Sequence, residues 1–177
     1  ETGLSGEFVQ ANVYDAARVI DRQFDIVFTS WGALCWLPDL RRWAEIVASL
    51  LAPGGYLYVL DGHPTAMVLE QTEKSGAIFA NYPYFHGEEP VIFNIDKTYA
   101  DDVPVENVRE ATWLHPMSTI ISSVLQAGLS LDFFHEHPQL GWQLFPCMIK
   151  GEDGMWHLPA DRPPLPLSFS IKARRHG

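Results

Sequence analysis

At 177 residues the chain has the length of one domain, enough to bury roughly two-thirds of its unfolded surface. Its 47% apolar and 19% charged residues exclude an intrinsically disordered chain. Against 22 Asp and Glu stand 12 Lys and Arg, so the net charge of −10 repels phosphate backbones and anionic lipid; neither nucleic acid nor a membrane is an expected partner.

From the N-terminus, Glu7–Ala11 reads as a short strand, Asn12–Asp15 as the loop after it and Ala16–Ile20 as a brief helix. Phe24–Ser30 is apolar in consecutive positions, as a central parallel strand buried on both faces would be. Asp39 suits a helix N-cap, and Leu40, Trp43, Val47 and Leu50 share one face of the helix it opens, Leu40 to Leu51. Pro53-Gly54-Gly55 stops that helix, and Tyr56–Leu60 is a further buried strand ending at Asp61-Gly62-His63-Pro64. This strand–helix–strand unit indicates an α/β sheet.

Thr65–Glu73 reads as helical, followed by a loop carrying Tyr82, Tyr84 and Phe85. Val91–Tyr99 and Asn107–Leu114 form an expected antiparallel hairpin, part of an inserted, cap-like segment of about residues 78–115. Pro116 opens a helix with Ile120, Ile121, Val124 and Leu125 on its apolar face, and Gly128 is a suitable C′ residue. Leu131–His137 is a strand. A small hairpin joins Met148-Ile149 to Met155-Trp156, and Leu165, Leu167, Phe169, Ile171 and Ala173 alternate through a last strand. The proline-dense stretch Pro159 to Pro166 reads as a stiff connector.

Cys35 and Cys147 make no disulfide framework, which points to a reducing cytoplasm. The uncharged stretch Ile46–Leu60 is too short to span a membrane and is broken by Pro53-Gly54-Gly55. Residue 1 is Glu rather than Met, so the chain reads as a processed or truncated piece of something longer.

Phe24-Asp-Ile-Val-Phe-Thr-Ser30, then Trp36-Leu-Pro-Asp39, then Leu51-Ala-Pro-Gly-Gly-Tyr-Leu-Tyr-Val59 together resemble the class I S-adenosylmethionine-dependent methyltransferases. The resemblance implies a Rossmann-like, mostly parallel sheet with a final antiparallel strand, interrupted here by the inserted β-hairpin and truncated at its N-terminus. It makes residues 1–177 a single, partial methyltransferase-like domain. The family sheet runs 3-2-1-4-5-7-6, with Phe24–Ser30 as strand 4. The family's glycine-rich loop after strand 1 and the acidic residue ending strand 2 have no counterpart, because the 13 glycines form no G-x-G-x-x-G. Two further βα units would take at least ~50 residues. An isolated chain without them is expected to bind the cofactor weakly. Glu7–Ala11 would lack neighbours, and Phe24–Ser30 would be an exposed edge unless a homo-oligomer or an N-terminal segment completed the sheet.

By the same resemblance, Asp15 would accept from the adenine amino group of S-adenosylmethionine, with a donor from the backbone near Tyr14; its other reading is a helix cap. Ser30, Trp31 and Gly32 leave the carboxyl end of a strand, where such sheets bind ligands, and Gly32 allows close backbone approach. Trp31 and Trp36 read either as walls of the cofactor and acceptor sites or as ordinary buried tryptophans. His63, at another strand end, is the first choice for a general base, and His115 a substrate-side residue. His135 and His137 lack a third ligand, so no metal is expected. The expected activity is methyl transfer to a small-molecule acceptor. The alternative is a degenerate methyltransferase fold kept as a binding or scaffolding module. A nicotinamide oxidoreductase is disfavoured because no Lys follows a Tyr by four residues, and a serine hydrolase because G-x-S-x-G is missing.

Overall fold

The computed structural model describes residues 3, 5–85, 87, 89–97 and 104–177. A 3-10 turn, Val13–Asp15, leads into the short helix α1 (Ala16–Val19), then β1 (Phe24–Ser30), α2 (Leu40–Leu50) and β2 (Leu51–Gly62). Next come α3 (Pro64–Met67), β3 (Leu69–Gln71), β4 (Ile78–Ala80), β5 (Val91–Lys97), β6 (Pro104–Thr112), α4 (Met117–Gln126) and β7 (Leu129–His137). The chain closes with β8 (Gln139–Leu140), β9 (Ile149–Lys150), β10 (Trp156–His157) and β11 (Ser168–Arg175).

The main sheet has four strands in the order β1-β2-β11-β7. This is the 4-5-7-6 stretch implied by the resemblance. It is mixed: β1 and β2 run parallel, while β11 is antiparallel to both β2 and β7. One face is packed by α2 and α4. Leu40, Trp43 and Val47 from α2 and Ile120 and Val124 from α4 meet Leu57, Val59, Ile171 and Ala173 from the strands, all buried. The apolar spacing along α2 is therefore its packing stripe. Asp39 caps that helix as expected, accepting from the Arg42 N–H at 2.9 Å. At its other end, Arg175 from β11 donates to the carbonyls of Ala48 and Leu51, which the helix leaves unpaired.

Several expectations are corrected. Helix α2 passes into β2 with no intervening loop, so Pro53-Gly54-Gly55 lies inside the strand rather than ending the helix. Gly54 sits at φ 81°, and the β1–β2 register breaks beside it, between Phe24 and Ile26. A Cβ on Gly55 would come within 2.9 Å of the Asp25 carbonyl oxygen, so glycine lets the two backbones close up. The expected helix Thr65–Glu73 is the one-turn α3 followed by β3, which pairs with β4. Leu125 faces solvent rather than the core.

Glu7–Ala11 is not a strand. It is exposed, with Phe8 99% accessible, and no ladder partner lies beside it among the described residues. Among the described residues its side-chain tether is Glu7 to Arg22 at 2.8 Å. Strand β1 is accordingly not buried on both faces. Phe28 is 60% exposed, and its ring lies 5.8 Å from that of Tyr58 on the face opposite the helices. The hairpin β5–β6 and the pair β9–β10 form as expected, the latter joined by β8. The turn of the first hairpin, with Tyr99 of the expected strand, lies outside the described residues.

The two faces differ enough to be measured. Leu57→Ala, inside the packed face, should lower stability by about 2–5 kcal/mol. Phe28→Lys, on the open face, should change it by less than about 0.5 kcal/mol. Urea denaturation of both variants checks the contrast.

Candidate functional site

The site is organised by a buried acid at the carboxyl end of β2. Asp61 is 6% exposed, and its carboxylate accepts three backbone N–H groups: Gly32 at 2.6 Å and Gly62 at 2.7 Å on Oδ1, and Leu34 at 3.3 Å on Oδ2. The segment leaving β1 is thereby held against the end of β2, an arrangement that the Trp31 N–H reinforces by donating to the Leu60 carbonyl at 2.8 Å. Gly32 supports the bend with φ 73°, and a Cβ there would meet nothing within 4 Å, so conformation and not crowding makes glycine suitable. Sequence reasoning placed Asp61 at a strand end but gave it no role. The available signal was an acid immediately after an apolar strand, where burial demands donors.

Around this anchor lies a cavity of about 110 Å³. Its lining includes Gly32, Asp61, Tyr84, Trp113, His115 and Trp142. The hairpin reaches it through the residues after β6: the Trp113 N–H donates to the Cys35 carbonyl at 2.9 Å, tying the insert to a 3-10 turn at Leu34–Trp36. Burial, then the negative charges of Asp61 and Glu110, push the Cys35 thiol up to about 12. It stays protonated and donates to the Gly32 carbonyl at 3.3 Å, so it is no nucleophile here.

The predicted residues divide between three places. Gly32 and His115 line the cavity together, and Trp31 packs edge-on to Trp142, its ring 5.7 Å away. Ser30 ends β1, in register with Leu60. The His115 Nε2 lies 2.7 Å from the Leu37 carbonyl, and because a carbonyl only accepts, Nε2 is the donor. Tyr14 and Asp15 sit beside the start of α2. The Asp39 N–H donates to the Tyr14 hydroxyl at 2.8 Å, and the Arg42 guanidinium lies 4.8 Å from the centre of that ring. Burial pushes the Tyr14 phenol upward, and it stays neutral. Asp15 occupies the N-cap position of α1 without a capping bond from its side chain, and its half-exposed carboxylate faces Arg18 at 3.5 Å. Trp36 is 48% exposed and lies outside the cavity lining.

His63 stands apart from the cavity lining. It is 4% exposed, and its Nδ1 accepts from the Thr65 N–H at 3.1 Å, capping α3. Its Nε2 lies 3.1 Å from Glu136 Oε1, a charge pair only when the ring is protonated. Burial lowers its pKa, partly offset by Glu136. Among the described residues no group of three or more His, Cys, Asp or Glu is arranged to hold a metal ion. Nor, among them, is any helix long and apolar enough to cross a membrane.

Comparison with known proteins follows this geometry. Residues 1–59, through most of β2, match the family model of the methyltransferase domain. A protein from Listeria monocytogenes assigned to the S-adenosylmethionine-dependent methyltransferases superposes with a TM-score of 0.63 at 15% identity, covering 96% of this chain and 68% of its own. An S-adenosylmethionine-dependent methyltransferase from Mesorhizobium loti gives 0.54 at 17% identity, with 93% and 68% covered. The glycopeptide N-methyltransferase MtfA, solved with S-adenosyl-L-methionine, gives 0.51 at 16% identity, with 95% and 59% covered. None of the curated proteins matches the sequence. The match to the methyltransferase domain model is thus confined to residues 1–59, and nearly the whole chain shares its fold with part of these solved methyltransferases.

Two measurements test this account of the site. Asp61→Ala leaves three amides without their acceptor and should destabilise the fold by about 2–4 kcal/mol, read by chemical denaturation. For His63 the folded pKa lies below the unfolded value of about 6.5. The unfolded chain therefore binds the extra proton first. The stability that neutral His63 contributes is complete above about pH 6.5 and is lost as the pH falls through the lower, folded pKa. Thermal melts from pH 8 down to 5 should show this decline, and His63→Gln should flatten it.

Proposed function

We propose that the protein transfers a methyl group from S-adenosylmethionine to a small-molecule acceptor bound in the cavity at the carboxyl ends of β1 and β2. The observation that carries this is the lining shared by Gly32 and His115. A strand-end glycine open to a ligand and a histidine able to take a proton meet in one enclosed space, where open α/β sheets bind their ligands.

The residues present suit the cofactor at the ends of β1 and of the 3-10 turn. The space over Gly32 is unfilled within 4 Å, and the Asp15 carboxylate is not consumed by capping α1. Asp15 would accept from the adenine amine and the backbone near Tyr14 would donate to the ring, while Ser30, Trp31 and Gly32 would lie against the methionine end. When bound, S-adenosylmethionine supplies a methyl group on a positively charged sulfur. The remaining work belongs to this chain. Trp113 and Trp142 exclude water and orient the acceptor, which is where most of the advantage of an in-line displacement arises. An acceptor that arrives protonated would give its proton to His115, which lines the cavity. We assign this role to His115 in preference to His63, whose ring is outside the cavity. Trp36 would shape the outer approach for the acceptor. The unpaired Cys35 and Cys147 accord with a reducing cytoplasm.

Without the family's glycine-rich loop and ribose-binding acid, calorimetric titration with S-adenosylmethionine should register only weak binding; in a longer chain carrying both, Asp15→Ala should lower the affinity by about 1–3 kcal/mol. His115→Gln should cut turnover by about 10²–10⁴-fold while leaving cofactor affinity in place. Cofactor binding with no methylated product from any acceptor would instead favour a non-catalytic binding module.

A further inference from the structure

We infer that the acceptor is a neutral amphiphile, with a head the size of a single aromatic ring in the inner cavity and a hydroxyl-bearing tail in a groove outside it. This rests on the methyltransferase reading only in calling the ligand an acceptor; the shape argument stands on the two spaces themselves.

The inner space is small and apolar in character. At about 110 Å³ it is comparable to the roughly 150 Å³ dry cavity that admits a benzene molecule. Trp113, Trp142, Tyr84 and Met67 supply flat or polarisable surface for a ring. Its carboxylate, Asp61, already accepts three amide N–H groups, which leaves little of its bonding capacity for an ammonium head.

The outer space is different. A groove of about 840 Å³ runs along the start of α2 and the exposed side of α4. Ser118, Thr119, Ser122 and Gln126 give it hydroxyl and amide groups at helical spacing. Of its charged side chains, Arg41 is paired with Glu45 at 3.1 Å and Asp39 is engaged as the cap of α2. Glu89, with the overall charge of −10, opposes an anionic tail. Such a surface matches a polyol or sugar in donor and acceptor count.

Among the described residues, His115 alone lines both spaces. It stands where the head would join the tail, with Nε2 fixed on Leu37. A ligand filling one space therefore touches the same side chain as a ligand filling the other, and a molecule with both parts bridges it.

Binding of simple probes tests this, followed by quenching of tryptophan fluorescence and confirmed by calorimetry. Phenyl β-D-glucoside should bind about ten-fold or more tightly than either phenol or glucose, because linked parts share one cost of immobilisation. Phenyl phosphate should bind more weakly than phenol. Ser122→Trp, on the exposed side of α4, should erase the advantage of the glucoside and spare phenol. Val68→Phe should weaken phenol and the glucoside together, and Met67→Trp, at a half-buried position, makes the same test should the first variant not fold. A glucoside no tighter than phenol, an unchanged glucoside affinity in Ser122→Trp, or preference for the phosphate would overturn the inference. Methyl transfer is scored separately. Probe binding as described with no methylated product from any acceptor removes the methyltransferase reading and supports the two-part site. Methylation of an acceptor whose KM ignores both Ser122→Trp and Val68→Phe overturns the two-part site alone.

Discussion

A single carboxylate receiving three amide protons sets the geometry on which the site depends. Asp61 gathers Gly32, Gly62 and Leu34 about itself at the end of β2. A buried carboxylate without donors would be strongly destabilising, so the segment leaving β1 is compelled to fold back over it. That fold-back brings Gly32 beside the cavity, places the 3-10 turn under the hairpin and lets the Trp113 N–H reach Cys35. The direct passage from α2 into β2 adds to this rigidity, because helix position and strand position cannot vary independently.

The sheet is supported unequally. Packing of α2 and α4 on one side gives it a continuous core, in which Val59, Val124, Phe169 and Ile171 are fully enclosed. The opposite side carries an aromatic row, Phe28, Tyr58 and Phe133, with ring centres 5.8 and 6.2 Å apart. Lys172 lies over Tyr56 there and also pairs with Asp132, so part of this open side is polar by construction. The free edge of β1 borders it.

Much of this was legible before the structure. Periodicity located α2, α4 and the last strand, because each buries a regular stripe that its composition must show, and a run of consecutive apolar residues located β1. The resemblance supplied the order of the sheet. What failed did so for tertiary reasons. Glu7–Ala11 has strand-like residues, but a strand is stabilised by neighbours it does not have here. Thr65–Glu73 has helical spacing, but β4 recruits Leu69–Gln71 into a ladder. Gly32 and His115 stood out in sequence at a strand end and at the hairpin's return, and the structure brings both to the lining of one cavity. The part of Asp61 was hidden because its partners are backbone amides, which leave no mark on the residue types around them. A strand-end histidine looks reactive in sequence, and the structure shows what sequence could not, that the His63 Nδ1 accepts from the Thr65 N–H as a helix cap.

The chemical nature of the partners of Asp61 has a consequence for solution conditions. Dissolved salt weakens attraction between exposed charges over distances of about 8 Å at physiological strength. It acts on Arg22 with Glu7 and on Arg41 with Glu45, pairs that lie largely in solvent. It has little purchase on a carboxylate held out of water by uncharged amides. Raising ionic strength would therefore loosen the N-terminal segment and the outer surface of α2 while leaving the cavity's dimensions as they are, so the molecule's periphery and its centre answer to different features of the medium.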